Sequence, residues 1–315
     1  MEAGLLVLTG TPLGSPADGD GPRAVEADDH ESTLRFGLLR GPGMTDHGGD
    51  PGELLAHDGV SEVWRTGRTV RRPCRPFTAT VQAFLRHLSS QGIDFVPEPL
   101  GYDDEGREVL SFVEGDIPTD PLPDAVWAEE VLVALAGLIR RLHDAAAGWP
   151  APTDATWGSI PGQQHVTVPA LFDRPELVAH QDYCPGNVVF RSGLPAAVID
   201  FDLARPTTRV ADCVNAMYWW VPLVDPADRQ PAARDLDASH RLRVFADAYG
   251  MSAAQRAEVV AVACQRARNS GVTMAAAAAA DPTFNRWWTG GLRERTARSE
   301  RWITGHADDL AAALA

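Results

Sequence analysis

The stretch HQDYCPGNVVFRSGLPAAVIDFD, residues 180–202, carries most of the information in this chain. It places His180, Asp182 and Asn187 in a loop that contains Pro and Gly. Two short apolar runs follow, joined by Ser-Gly-Leu-Pro, and the second run ends at Asp200. This pattern predicts a β-hairpin, and a hairpin returns the chain close to its starting point. The side chains of Asp182, Asn187 and Asp200 are therefore expected to converge.

The residue types in this stretch suit one kind of chemistry. A carboxylate and an amide oxygen are hard ligands for Mg²⁺, which usually takes one or two carboxylates and completes its shell with phosphate oxygens and water. A further Asp, set back from the metal, can accept the proton of a substrate hydroxyl. An Asp-x-Asp glycosyltransferase motif at Asp200 and Asp202 is the alternative, but it leaves Asn187 unexplained.

The same stretch resembles aminoglycoside phosphotransferases and related small-molecule kinases, which share the protein-kinase-like fold. HQDYCPGN resembles the H-x-D-x-x-x-x-N catalytic loop of that family, and IDFD resembles its metal-binding strand end. The resemblance implies that Asp182 is the catalytic base or orients the acceptor hydroxyl, and that His180 braces the loop. It implies that Asn187 and Asp200 hold Mg²⁺. It also implies ATP or GTP as phosphoryl donor and a hydroxylated small molecule as acceptor.

The remaining sequence predicts an α+β, bilobal protein-kinase-like fold. Residues 1–50 are rich in Gly and acidic residues without sustained periodicity, and they are predicted to be a disordered leader. Residues 51–117 predict an N-terminal nucleotide-binding lobe, an antiparallel sheet with one helix at 77–90. Residues 118–315 predict a mainly helical C-terminal lobe for catalysis and substrate binding.

Within the first lobe, the resemblance supplies candidate nucleotide contacts. The segment AHDGVS resembles the loop that covers the phosphates, with Gly59 and Ser61 at the nucleotide. The segment LSFVEG resembles the hinge between lobes, where backbone groups of Ser111 and Val113 would pair with the purine. A plain hairpin turn fits the first segment and an edge strand fits the second, so these alternatives stay open.

All 28 basic residues are Arg, because the sequence contains no Lys. Codon usage explains this composition, yet the related kinases place a strand Lys against the nucleotide phosphates. Here the corresponding strand ends TVRRP, and Arg71 aligns best with that Lys. Arg keeps its charge and can hold phosphate oxygens with two nitrogens, although a solvated strand-end charge is the alternative. The following helix has no acidic residue, so the usual Glu partner is predicted to be absent, with Gln82 the nearest polar candidate.

The formal charge of −15 argues against nucleic acid and anionic membranes as partners. Four separated Cys and the lack of a long apolar run predict a cytoplasmic protein with free thiols. Acidic residues around the cleft would favour a cationic acceptor such as an aminoglycoside. Macrolides, peptide antibiotics, choline, homoserine and sugars stay open, as does the oligomeric state. A pseudokinase that binds a nucleotide or a partner without turnover is the competing hypothesis.

Overall fold

A computed structural model describes residues 52–57 and 62–315. Its first part is a five-stranded antiparallel sheet with strand order β1-β2-β3-β5-β4. Tight turns with Gly67 and Gly106 at positive φ lie at the ends of two hairpins, where only a residue without a Cβ adopts this conformation at little cost. The strands are β1 (Glu53–His57), β2 (Glu62–Thr66), β3 (Thr69–Arg72), β4 (Pro99–Tyr102) and β5 (Glu108–Ser111).

Helix α1 (Thr78–Ser90) is the one helix that accompanies this sheet among the residues described. Its apolar residues recur at the spacing of one helix face, and these residues are buried. The face packs into the core, where Phe84 contacts the rings of Trp149 and Phe201. Because Phe201 follows Asp200, α1 is packed directly beneath one end of the candidate site.

The connection between the two parts is fixed to a second hairpin, formed by β7 (Val188–Arg191) and β8 (Leu194–Val198). Asp116 and Phe190 exchange two backbone hydrogen bonds, with N···O distances of 2.9 and 2.7 Å. Gly115 is required beside them, because a Cβ there would lie 2.5 Å from the Phe190 carbonyl oxygen. The hairpin that carries the candidate site is thereby tied to the crossing segment.

Helices dominate the remainder of the chain. Helix α2 buries an apolar stripe that packs against α4 and β8, and α5 packs against α3, α7 and α8. A short antiparallel pair, β6 (Leu177–Ala179) and β9 (Arg205–Thr207), flanks the candidate site. The helices are α2 (Glu129–Ala146), α3 (Arg209–Trp220), α4 (Ala238–Tyr249), α5 (Ala253–Ala280), α6 (Pro282–Trp287), α7 (Arg293–Gly305) and α8 (Ala307–Leu314).

The described residues contain the predicted antiparallel sheet with one helix, followed by a mainly helical part. The predicted leader at 1–50 lies outside the described residues, and the boundary between 117 and 118 stays a prediction. Within the described ranges, no helix combines the length and apolar character needed to cross a membrane.

Candidate active site

The hairpin of β7 and β8 brings the loop residues and Asp200 together. Val188 pairs with Val198, so the residues that flank the hairpin lie side by side. The Ile199 N–H donates to the Asn187 carbonyl oxygen at 2.9 Å, which extends the pairing by one step. The backbone of Asp200 therefore lies close to that of Asn187, although thirteen positions separate the two residues in sequence.

Asn187 links the loop to Asp182 through its amide nitrogen. Asn187 Nδ2 donates to Asp182 Oδ2 at 3.0 Å and to the Asp182 carbonyl oxygen at 3.1 Å. The other amide atom, Asn187 Oδ1, is buried and accepts no hydrogen bond. A buried carbonyl oxygen without a donor is unfavourable, so this atom is available to a ligand that supplies positive charge.

His180 braces the loop from its other end. Its Nε2 lies 2.9 Å from the Ile199 carbonyl oxygen, which can only accept, so this nitrogen carries the proton. Its Nδ1 accepts from the Asp182 N–H at 3.2 Å. Burial lowers the pKa of His180, which agrees with a neutral ring that uses both nitrogens. His180 therefore positions Asp182 and the strand before Asp200.

Asp212, on α3, fixes the start of the same loop. Its Oδ1 accepts from the Gln181 N–H at 2.8 Å and from Gln181 Nε2 at 2.7 Å. Its Oδ2 accepts from His143 Nε2 at 2.7 Å and from the Tyr183 hydroxyl at 2.8 Å. Thr208, rather than Asp212, caps the helix. Asp212 thus holds the loop.

Two residues of the site have strained backbones. Gln181 has φ of 65° and Asp200 has φ of 63°, values that non-glycine residues rarely adopt. Asp212 holds Gln181 through both the backbone and the side chain of that residue. Such strain persists only where surrounding contacts outweigh its cost, and it is concentrated at functional sites.

Asp182 has the electrostatics of a proton acceptor near neutral pH. Burial and the neighbouring charge of Asp200 raise its pKa to about 7, although hydrogen bonds from Cys184 and the charge of Arg266 oppose the rise. A general base works best when its pKa lies close to the operating pH. Asp182 therefore fits proton transfer better than it fits a permanent structural charge.

Arg72 places a positive charge in the described part of the cleft. Three of its nitrogens meet three carboxylates: Nε lies 2.6 Å from Glu108, Nη1 lies 3.3 Å from Asp200 and Nη2 lies 2.7 Å from Asp202. Burial alone would lower the pKa of Arg72, but the three carboxylates reverse this effect and raise it. The family resemblance favoured Arg71 for this place, but in the structure it is Arg72 that faces Asp200 and Asp202.

The alternation of side chains along β3 explains this correction. Val70 pairs with the buried Leu110, and Arg72, two residues later on the same face, pairs with Glu108. Arg71 lies on the opposite face, where its Nε is buried without a partner among the described residues. The sequence contained the information to choose Arg72, because the apolar Val70 marks the strand face that packs inward and Arg72 lies two residues further on that face.

The acidic partner of the strand cation comes from β5 and not from α1. Glu108 is 0% exposed and is placed opposite Arg72 by the strand register. Gln82, the polar candidate on the helix, donates to the Gly101 carbonyl oxygen and accepts from Arg86, so it fastens α1 to β4. Helix α1 has no acidic residue, and an ion pair between Arg72 of β3 and Glu108 of β5 lies in the cleft instead.

Two predicted nucleotide contacts of the first lobe, Ser111 and Val113, differ in which backbone groups are free, and their pairing with a purine stays a prediction. The Ser111 N–H donates to the Glu98 carbonyl oxygen at 2.8 Å, which removes it as a donor for a purine. Val113 makes no backbone hydrogen bond to the rest of the described chain, so its backbone groups are free to pair. Gly59 and Ser61 lie outside the described residues, and their contact with the phosphates stays a prediction.

A small cavity opens beside Asp182, Asp200 and Asp202. A loop closes one side of it, and Gly158 in that loop lies so near that a Cβ would be 1.7 Å from the Asp202 carbonyl oxygen. The other lining residues are Ile160, Pro161, Leu203 and Phe284, the last from α6. The acidic groups thus meet an apolar wall contributed by the C-terminal part of the chain.

The donor set fits a divalent cation bound together with phosphates. Among the described residues, no three His, Cys, Asp or Glu side chains form a closed metal site. Asn187 Oδ1, buried and unpartnered, and the Asp200 carboxylate are hard oxygen ligands that leave the other positions to phosphate oxygens and water. This incomplete shell is the type that Mg²⁺ forms in phosphotransferases.

The fold is that of protein-kinase-like phosphotransferases. A choline/ethanolamine kinase family protein from Mesorhizobium loti matches with a TM-score of 0.55 at 17% identity, over 84% of this chain and 92% of the other. Amicoumacin kinase hAmiN, solved with AMP-PNP, Ca²⁺ and Ami, matches with a TM-score of 0.53 at 14% identity, over 78% and 88%. These similarities confirm the predicted α+β kinase-like fold.

Sequence comparison gives the family. The model of the phosphotransferase enzyme family, APH, matches residues 162–249. The trifolitoxin immunity protein of Rhizobium leguminosarum bv. trifolii is 32% identical over 268 residues, which cover 83% of this chain and 98% of that protein. The chain therefore belongs to the APH phosphotransferase family, as the catalytic-loop resemblance predicted.

Proposed function

We propose that this protein transfers the γ-phosphoryl group of ATP or GTP to a hydroxyl of a small molecule. The observation that carries the proposal is the convergence of Asp182, Asn187 and Asp200 in one cleft, with Arg72 opposite them. Each supplies one requirement of phosphoryl transfer: a proton acceptor, metal ligands and a fixed positive charge.

Asp182 accounts for the acceptor side of the reaction. It accepts the proton of the acceptor hydroxyl while the oxygen forms its bond to the γ-phosphorus. The bond between that phosphorus and the β–γ bridging oxygen breaks, and the nucleoside diphosphate leaves with the electron pair. The pKa of about 7 lets Asp182 hold this proton transiently at neutral pH. Asn187 fixes the carboxylate by donating to Oδ2.

Arg72 and the metal ligands account for the donor side. Mg²⁺, held by Asn187 and Asp200, would neutralise phosphate charge as the β–γ bond breaks. Arg72 already faces Asp200 and Asp202, so its guanidinium can move from a carboxylate to a phosphate oxygen within the same cleft. Glu108 limits this movement, because its fully buried carboxylate holds Nε.

The relatives suggest what the reaction achieves for the cell. One is the trifolitoxin immunity protein, and one structural neighbour is amicoumacin kinase hAmiN. We propose that the acceptor is a toxin or antibiotic and that phosphorylation gives resistance or self-protection in the cytoplasm. A metabolic small-molecule kinase is the second candidate, supported by the fold shared with the choline/ethanolamine kinase family protein.

The test is mass spectrometry of acceptors incubated with the full chain, Mg²⁺ and either ATP or GTP. The panel includes trifolitoxin, amicoumacin, aminoglycosides, macrolides, choline and homoserine. A product heavier by one phosphoryl group, formed with one nucleoside diphosphate, supports the proposal. If nucleotide and acceptors bind but no compound of the panel is phosphorylated, the result supports the pseudokinase hypothesis instead.

A further inference from the structure

One ion pair joins the sheet of the first part of the chain to the hairpin of the second part. Arg72 ends β3, and Asp200 follows β8, 128 positions later in sequence. Arg72 Nη1 lies 3.3 Å from Asp200 Oδ1, and Asp200 is one of the two proposed metal ligands. Both side chains are mostly removed from solvent, with 16% and 23% of their surface exposed. The charged metal ligand is therefore already paired with a cation of the protein.

The position of Arg72 is fixed by two other carboxylates. The register of β3 with β5 places it opposite Glu108, whose fully buried carboxylate lies 2.6 Å from Nε. The carboxylate of Asp202 lies 2.7 Å from Nη2. Both contacts are shorter than the contact with Asp200, so Asp200 is the partner that Arg72 holds least tightly. A ligand that competes for Asp200 can take it while Glu108 and Asp202 keep the guanidinium in the cleft.

The second proposed metal ligand is not shared in this way. Asn187 Nδ2 donates to Asp182, and Asn187 Oδ1 accepts no hydrogen bond in the described part of the chain. Arg72 therefore competes for the charged ligand, whereas the neutral ligand stays available. It follows that a metal ion bound at this site depends on Asn187 whether or not Arg72 is present.

The charges of this cluster oppose the separate binding of a metal ion and of a nucleotide. A divalent cation at Asp200 shares its carboxylate with a guanidinium, and two cations on one carboxylate repel each other. A triphosphate alone meets three carboxylates, and a single guanidinium does not balance their charge. When both are bound, the phosphates attract the guanidinium as well as the metal ion, and their charge is screened from the carboxylates.

We propose that Arg72 is an internal counter-ion of Asp200, which weakens the binding of a free divalent cation and couples metal binding to nucleotide binding. The inference rests on the proposed function, because that function places the metal ion at Asn187 and Asp200. It adds a regulatory property of the same site, in which the metal ion enters together with the nucleotide phosphates. Coupling of two binding events is reciprocal, so the metal ion raises nucleotide affinity by the same factor.

The first test measures the binding of free metal without turnover. Mn²⁺ is titrated into the full chain without nucleotide, and electron paramagnetic resonance gives the concentration of free Mn²⁺. Arg72→Met should bind Mn²⁺ at least about 10-fold more tightly than the wild type, because the competing cation is gone. Arg71→Met is the matched control, since Arg71 lies on the opposite face of β3, and its Mn²⁺ affinity should equal that of the wild type.

A first double variant separates competition at Asp200 from net charge. Arg72→Met/Glu108→Met has the same formal charge as the wild type and leaves no unpaired carboxylate at position 108. It should still bind Mn²⁺ more tightly than the wild type, by at least about 5-fold. This variant also provides the test if Arg72→Met does not fold, which far-UV circular dichroism establishes.

A second double variant assigns the gained affinity to the proposed metal site. Arg72→Met/Asn187→Ala should lose the gain, because Asn187 is a ligand of this site and is not a partner of Arg72. A gain that survives without Asn187 means that Mn²⁺ occupies the place vacated by Arg72, and this result would overturn the proposal.

The second test measures nucleotide binding with the same variants. AMP-PNP is titrated calorimetrically into the full chain at saturating Mg²⁺. Arg72→Met should bind AMP-PNP about 10-fold more weakly, because the hydrogen bonds between guanidinium and phosphate are lost. The proposal thus requires opposite changes in the two affinities. If Arg72→Met binds both ligands more weakly, Arg72 has only a structural role, and unchanged Mn²⁺ affinity in both Arg72→Met and Arg72→Met/Glu108→Met is equally incompatible with the proposal.

These measurements distinguish the inference from the proposed function, because neither needs an acceptor. Opposite changes in the two affinities support the counter-ion role even if no acceptor is phosphorylated, in which case only the proposed function fails. Phosphorylation of an acceptor by a chain whose Mn²⁺ affinity does not depend on Arg72 supports the proposed function and overturns the inference. A wild-type chain that binds no Mn²⁺ even with AMP-PNP overturns both.

Discussion

Arg72 gives the sharpest prediction, because its guanidinium joins three carboxylates from β5 and the metal-binding segment. Replacing it in Arg72→Met leaves Glu108 fully buried without a cation. Removing one member of a buried ion pair typically costs about 3–5 kcal/mol, since the remaining charge keeps its desolvation penalty. The free energy of unfolding should therefore fall by about 3 kcal/mol or more.

Two further variants test whether this loss of free energy of unfolding comes from the ion pairs of Arg72. Arg72→Lys retains charge but offers one nitrogen where three are used, so it should lose about 1.5–3 kcal/mol. In Arg72→Met/Glu108→Met the buried carboxylate is gone, and the free energy of unfolding should recover to within about 2 kcal/mol of the wild type. Arg71→Met is the control and should change stability by less than about 1 kcal/mol.

The assay is chemical denaturation followed by tryptophan fluorescence, with far-UV circular dichroism to establish that each variant is folded. With Glu108→Met measured alone as the second single variant, the double-mutant cycle gives the interaction energy between Arg72 and Glu108. An Arg72→Met variant as stable as Arg71→Met, or a double variant less stable than Arg72→Met, would refute the assignment of the cleft cation to Arg72.

Three other predictions follow from the geometry of the site. Asn187→Ala removes the unpartnered Oδ1, so the Mg²⁺ concentration for half-maximal turnover should rise at least about 10-fold. The control Asn285→Ala, remote on α6, should leave this concentration unchanged. Burial opposes the shift, but four hydrogen-bond donors lower the pKa of Asp212. The ionised carboxylate therefore stabilises the folded protein above about pH 4, and this stabilisation is lost as the pH falls further. Asp212→Asn should thus cost stability at pH 7 and flatten the acid limb of the stability curve, and a variant that keeps the wild-type acid limb would contradict this. Gly158→Ala should destabilise by about 1–3 kcal/mol because its Cβ would meet the Asp202 carbonyl, while Gly137→Ala, with open space on α2, should be neutral or stabilising by thermal unfolding.

The sequence predicted those parts of the site that depend on short-range patterns. The hairpin signal around Ser-Gly-Leu-Pro was sufficient to join Asn187 and Asp200, because strand pairing fixes the ends of a two-stranded unit. The spacing of one helix face was likewise sufficient for α1. The family followed from the catalytic loop and is confirmed by a relative that is 32% identical.

The missed residues depend on pairing between distant segments. Glu108 enters the site only through the register of β3 with β5, which sequence alone did not give. Choosing Arg71 over Arg72 was an error of strand phase, since a shift of one residue moves a side chain to the other face.

The most direct test of the central claim is transfer of a labelled γ-phosphoryl group from ATP to the acceptor in a single turnover. Wild-type protein and the control Asp154→Asn, changed at an exposed position, should transfer the label to the acceptor. Asp182→Asn should bind ATP with nearly unchanged affinity and transfer at least about 100-fold more slowly. Transfer by Asp182→Asn at the wild-type rate would contradict the account.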